Sequence, residues 1–184
     1  MKPTEILVRE HESIKEMLAV IDAICVRLET GERVDPEHLE KVVEFIRTFA
    51  DKCHHGKEEN LLFKELEAAG IPNEGGPVGT MLLEHDTGRG YVRSMHEAVA
   101  AYREGDEEAK VRFVQNGRAY SGLLSQHIFK EDNVLYPMAD MHLSPSKQEE
   151  LLEAFEHVEH EEIGEDVHRR MLDLLENLKS IYLR

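Results

Sequence analysis

Gln126-His127-Ile128-Phe129-Lys130-Glu131-Asp132-Asn133-Val134-Leu135-Tyr136-Pro137 decides how this chain folds. A version of it stands 73 positions earlier, as Cys53-His54-His55-Gly56-Lys57-Glu58-Glu59-Asn60-Leu61-Leu62-Phe63-Lys64. The copies share His, Lys, Glu, a second acid, Asn, two aliphatics and an aromatic. The repeated unit is His-x-x-x-Glu. On an α-helix an i,i+4 pair lies on one face about one turn apart, so an imidazole and a carboxylate aim at one point. That is the chemistry of a metal ligand pair.

Outward from these stretches, Leu7-Val8-Arg9-Glu10-His11-Glu12-Ser13 recurs as Met81-Leu82-Leu83-Glu84-His85-Asp86-Thr87, at an offset of 74. Each half of the duplication therefore carries one lone His and one His-x-x-x-Glu pair. Apolar periodicity places the four segments on four helices. The first runs from a cap at Thr4 to about Glu29 and stops at Thr30-Gly31. Asp35-Pro36 starts the second, which reaches about Ala69, because a Pro in the first turn loses no hydrogen bond. Gly70 to Pro77 is a break rich in Gly and Pro. The third helix covers about Val78 to Glu104, and the fourth runs from a cap at Asp106 to near Met138, with Pro137 expected to end it. Ser144-Pro145 opens a fifth segment through Tyr182, with a bend expected at Gly164. Short connections favour antiparallel neighbours. The expected fold is all-α, an up-down-up-down four-helix bundle over residues 1–143 with a C-terminal helical segment, 144–184, packed on it.

His11 and His85 lie about seven residues inside the starts of helices one and three, and His54 and His127 about 13 to 15 residues from the ends of helices two and four. At ~1.5 Å per residue the mismatch is about two turns, so convergence at one level is allowed. Four His and two Glu suit two divalent transition-metal ions, with carboxylates able to bridge. His54 and His55 compete for one place. Steps of about 100° per residue from Ile46 put His54 at roughly 80° and His55 at roughly 180°, favouring His54. Repeat alignment likewise favours Glu58 and Glu131 over Glu59 and Asp132, which are candidates for the surrounding hydrogen-bonding shell. On the fifth segment Glu159 and Glu162 lie among apolar positions, where a carboxylate is costly unless paired or metal-bound. Both are candidate extra ligands, and His168 is a third.

A net charge of −16 opposes association with phosphate backbones, so no nucleic-acid partner is expected. No apolar run has the length of a signal or a membrane span. Cys25 and Cys53 lack Cys-x-x-Cys spacing and read as small buried hydrophobes in a reducing cytoplasm.

The constellation His11, His54-x-x-x-Glu58, His85, His127-x-x-x-Glu131 resembles the hemerythrin-like family, the HHE cation-binding domain, over residues from about 5 to 140. The resemblance implies a four-helix bundle with a non-heme di-iron centre: two Fe ions, bridged by oxo, hydroxo or water, that bind dioxygen. It extends to sensing of oxygen or iron and to consumption of peroxide or nitric oxide. Two departures matter. Oxygen-carrying hemerythrins place a second His four residues after the third-helix His, where this chain has Arg89, which implies an open or differently filled coordination position. They also space the last pair as His-x-x-x-x-Asp, which His127 and Asp132 satisfy. Tyr91 and Tyr120 are candidate hydrogen-bond donors near bound oxygen.

His38, His96, His142, His157 and His160 read as ordinary boundary residues, and Leu62-Phe63 and Leu135-Tyr136 as core that walls off the centre. The alternative to a metal centre is a metal-independent helical interaction module whose polar layer fixes register. It leaves several buried polar groups unpaired, at about 1–3 kcal/mol each.

Overall fold

The computed structural model of the chain describes residues 1–183. Among these, six helices and no strand occur: α1 (Pro3–Glu29), α2 (36–68), α3 (Pro77–Arg103), α4 (107–142), α5 (145–163) and α6 (Glu165–Tyr182). Three starts follow local capping chemistry. The carboxylates of Asp35 and Asp106 accept the backbone N–H of Glu37 and Glu108, and the Ser144 hydroxyl accepts that of Lys147. At α1 the cap position falls to Lys2, ahead of Pro3. Thr4, the expected cap, lies inside the first turn and donates its hydroxyl to Asp140 at 2.8 Å.

Helix α4 runs past the expected stop to His142. Pro137 costs little because the backbone has just widened to five-residue hydrogen bonds over Glu131–Leu135, so the ladder is already out of step where its N–H is missing. Between α5 and α6, Gly164 adopts φ 90°, a left-handed conformation natural only to glycine, and the C-terminal segment turns there.

Helix α4 packs along both α1 and α3, α2 packs on α3, and α6 lies over α1 and α2. The apolar interior forms two clusters. One holds Ile21, Ile24, Phe45, Phe49, Met95, Phe113 and Leu124, with Met171, Leu175 and Leu178 of α6 closing it. The other holds Leu7, Leu62, Phe63, Leu66, Met81, Leu135 and Tyr136, closed by Leu151 and Phe155 of α5. Along α1, α2 and α3 the predicted ligands fall between the residues of one cluster and those of the other, and in α4 they lie at the same boundary, so a polar layer separates two dry cores. Cys25 and Cys53 are buried and unpaired, and burial pushes the Cys25 thiol up to about 12.

Close approach of α1 to α4 depends on Gly117, where an added Cβ would stand 3.2 Å from the Cys25 sulfur and 3.3 Å from Ile21. Gly122 on the same helix faces open space. Urea unfolding is expected to show Gly117→Val destabilising by about 1–3 kcal/mol and Gly122→Ala stabilising by about 0.5–1 kcal/mol.

Candidate metal centre

The two helices that carry His-x-x-x-Glu pairs widen where the pairs sit. Helix α2 is a π-helix over Ile46–His55 and Glu58–Leu62, and α4 over Glu131–Leu135. The N–H groups of Gly56, Phe63 and Tyr136 donate to the carbonyls of Asp51, Glu58 and Glu131, each five residues back. A wider turn has a smaller angular step per residue than an α-helix. Both His54 and His55 therefore reach the interior, at 1% and 4% exposure. The competition expected from α-helical stepping does not arise.

Seven buried residues converge. Their atoms form two groups with potential to hold a cation, His11, His54, Glu58 and Glu131 in one and His55, Glu58, His85 and His127 in the other. The Glu131 oxygens lie 3.2 Å from His11 Nε2 and 3.1 Å from His127 Nε2, so this carboxylate spans both groups. Glu58 Oε2 lies 3.6 Å from His54 Nε2 and 3.5 Å from His85 Nε2, and spans them as well. His85 Nε2 and His127 Nε2 are 3.0 Å apart. The Tyr136 hydroxyl donates to Glu58 Oε1 at 2.6 Å and stands 3.3 Å from His11 Nε2.

Every imidazole is held from behind by a carboxylate on its Nδ1: His11 by Asp132 at 2.6 Å, His54 by Glu10 at 2.9 Å, His55 by Asp51 at 3.3 Å, His85 by Glu59 at 2.7 Å and His127 by Glu84 at 2.8 Å. Such a carboxylate fixes the proton on Nδ1 and leaves the Nε2 lone pair pointing into the centre. A cation backs each carboxylate in turn. Lys15 reaches Asp132, Lys57 reaches Glu10, Lys130 reaches Glu84, and Arg89 joins Asp51 to Glu59.

The sequence duplication becomes a two-fold pattern of contacts. Glu10 on His54 repeats as Glu84 on His127, Asp132 on His11 as Glu59 on His85, Lys57 on Glu10 as Lys130 on Glu84, and Lys15 on Asp132 as Arg89 on Glu59. The exception is His55, whose counterpart by alignment is the buried Ile128. One group thus has three imidazoles and the other two.

Burial, reinforced by the charge of Glu131, holds Glu58 well above the usual carboxylate range. Burial pushes Glu131 up too, but His127 and His11 outweigh it and hold it well below that range. Burial and neighbouring imidazoles drive His54 and His55 well below the usual range. For His11 and His127 burial acts the same way, but carboxylate contacts outweigh it and raise both. Asp51 is held at about 2, burial being outweighed by His55 and Arg89.

His55 Nε2, Glu58 Oε2 and both Glu131 oxygens are buried without a hydrogen-bond partner. Inward-facing lone pairs from five imidazoles and two carboxylates repel unless protons or cations lie among them, and His55 Nε2 and Glu58 Oε2 have no proton-sharing partner. Nitrogen and oxygen donors in this proportion suit divalent transition metals. The residues fit a two-metal centre.

A model of the hemerythrin HHE cation-binding domain matches residues 2–139. The chain belongs to the hemerythrin HHE family. Uncharacterized proteins of Mycobacterium tuberculosis and Mycobacterium bovis are 26% identical to it over 176 residues, covering 96% of this HHE chain and 68% of the relatives' length.

All six principal residues expected from the HHE pattern, His11, His54, Glu58, His85, His127 and Glu131, come together. Glu59 and Asp132 lie behind His85 and His11, in the supporting positions expected of them. The three lesser candidates on the C-terminal segment lie outside both groups. Glu159 pairs with Lys57, Glu162 is exposed where the wide last turn of α5 leads to Gly164, and the His168 ring stands 5.2 Å from that of Phe49. Arg89 fills the place of the absent histidine with a cation that braces Asp51 and Glu59, while His55 brings the third imidazole to His85 and His127. Four other participants escaped the sequence reading: Glu10, Glu84, Asp51 and Tyr136. Glu10 and Glu84 had a visible signal, since each precedes a histidine in both halves of the repeat. Asp51 precedes His55 by four residues.

Removing a carboxylate behind a ligand histidine frees its ring to turn. Glu84→Ala and Glu10→Ala are each expected to weaken binding of a divalent transition metal by about 10–100-fold, measured by chelator competition, with helix content by circular dichroism unchanged.

Proposed function

We propose that this chain is a non-heme di-iron protein that binds dioxygen or a related small oxidant, peroxide or nitric oxide, for sensing or detoxification. The observation that carries this reading is the convergence of five imidazole Nε2 atoms and two carboxylates, buried and with Tyr136 as the hydroxyl donor among them. His11, His54, Glu58 and Glu131 would hold one iron, and His55, Glu58, His85 and His127 the other, with an oxo, hydroxo or water bridge completing the pair. Bound iron supplies electrons to a small oxidant. The protein residues set the conditions: Glu58 and Glu131 tie the two positions together, the Nδ1 carboxylates orient the rings, and Leu62, Phe63 and Leu135 exclude water. Tyr136 keeps a proton at its hydroxyl, which burial and the neighbouring carboxylates make hard to remove. It stands on the side with two imidazoles, 3.3 Å from His11 Nε2.

The bundle in this reading spans residues 1–143 and runs up-down-up-down, with 144–184 as its cover. The alternation of the two apolar clusters along α1 to α4 supports that order. Among the described residues no helix is long and apolar enough to cross a membrane. We place the protein in the cytoplasm, on its two unpaired buried thiols. A metal-independent interaction module would leave His55 Nε2, Glu58 Oε2 and the Glu131 oxygens buried without partners, so the metal reading is preferred.

Protein purified without added metal is expected to carry about two irons per chain and, after anaerobic reduction, to develop a near-ultraviolet band on exposure to air. Metal analysis separates iron from zinc or manganese on the same ligands. His127→Ala is expected to lose at least one of the two irons and any peroxide consumption above that of free ferrous ion. Failure of the wild-type protein to take up ferrous ion would overturn the proposal.

A further inference from the structure

Beside the centre, between α2, α3 and α4, lies a cavity of about 210 Å³ whose lining includes His55 and His85. With a water occupying ~30 Å³ of liquid, this is several times what dioxygen or a peroxide fills. It is smaller than the ~300–1,000 Å³ of pockets for drug-sized molecules. A single small ring or a short chain matches it.

Its walls are apolar and its rim is positive. Ile46, Val92 and Leu124 line the body. Arg47 and Arg93 also line it, both are exposed, and neither reaches a carboxylate among the described residues. In a chain of net charge −16, two cations left without partners beside one cavity call for an anion. The other charges there, Asp51 and Arg89, neutralise each other at 2.9 Å. The Tyr120 phenol lines the cavity too, at 2% exposure, and its hydroxyl has no hydrogen-bond partner. That hydroxyl is itself closed off from the cavity, so Tyr120 contributes its ring to the apolar walls.

We infer that this cavity is the binding site of a small organic anion. Its carboxylate meets Arg47 and Arg93, and its apolar body lies against Ile46, Val92, Leu124 and the Tyr120 ring, in front of His55 and His85. The inference rests on the metal-centre reading for what lies at the cavity's floor, and it deepens that reading by naming a class of organic co-substrate or effector alongside the small oxidant.

Benzoate is a suitable probe, with benzamide as its uncharged isostere. Calorimetric titration of the iron-loaded and the metal-free protein is expected to show one saturable benzoate site in each, with benzamide about tenfold weaker or worse. Arg47→Glu combined with Arg93→Glu changes two exposed, unpartnered side chains and should leave the melting temperature unchanged while weakening benzoate by about tenfold or more. Absence of a saturable site in both forms overturns the inference. So does binding to the iron-loaded form alone that ignores the charge reversal, because benzoate would then be a direct ligand of the metal. Failure to load iron counts against the metal reading only, since benzoate binding to the metal-free protein still decides the cavity.

Discussion

Five imidazoles and two carboxylates are forced to face one another in a buried space, and the rest of the molecule is arranged around that conflict. A hydrophobic bundle would gain nothing by bringing them together, because each buried polar group without a partner costs free energy. The layers behind the histidines show how the conflict is held in place. Carboxylates fix each ring by its far nitrogen, and lysines or arginines from the neighbouring surface hold the carboxylates. Alternating sign from the centre outward lets a strongly acidic protein concentrate charge at one level without adding unbalanced charge to its interior. Lys57 carries this furthest: fully buried, it is shared between Glu10 of α1 and Glu159 of α5. The C-terminal segment is therefore tied to the centre by an ion pair as well as by the packing of Phe155 and Leu175.

Much of this was written in the chain. The offsets of 73 and 74 separate the halves, and the residues that repeat are those that converge. Helix starts at Asp35, Asp106 and Ser144 were equally plain, because a capping side chain acts on its own few neighbours. What escaped depends on departures from α-helical geometry. His55 was set aside on a periodicity that the wide turns of α2 do not obey, and α4 passes Pro137 for a related reason. The supporting carboxylates were hidden differently. Glu10 holds His54 on another helix and not its own neighbour His11, a pairing that only the packing of α1 against α2 creates. Tyr136 looked like core, and its ring is, stacked 5.4 Å from that of His11; only its hydroxyl belongs to the centre.

The near-symmetry breaks at His55 and at Tyr136, whose counterpart is Phe63, and both breaks are chemical. Where α2 offers His55, with Asp51 behind it, α4 offers Ile128 and Leu124. The two halves thus supply the same scaffold and unequal donors, three imidazoles on one side and two with a phenol on the other. The organic-anion cavity opens on the richer side, and Tyr136 guards the poorer one.

The polar layer also has a mechanical meaning. It crosses the bundle between two apolar cores that share no buried residue, so the cores are joined chiefly through the centre itself and through the continuous helices. A cation held there makes one cooperative unit of what would otherwise be two. Without it, the end containing Leu66, Leu135 and Phe155 is free to open while the larger core around Phe45 and Phe113 stays closed, and backbone amide exchange would divide along the line of the histidines.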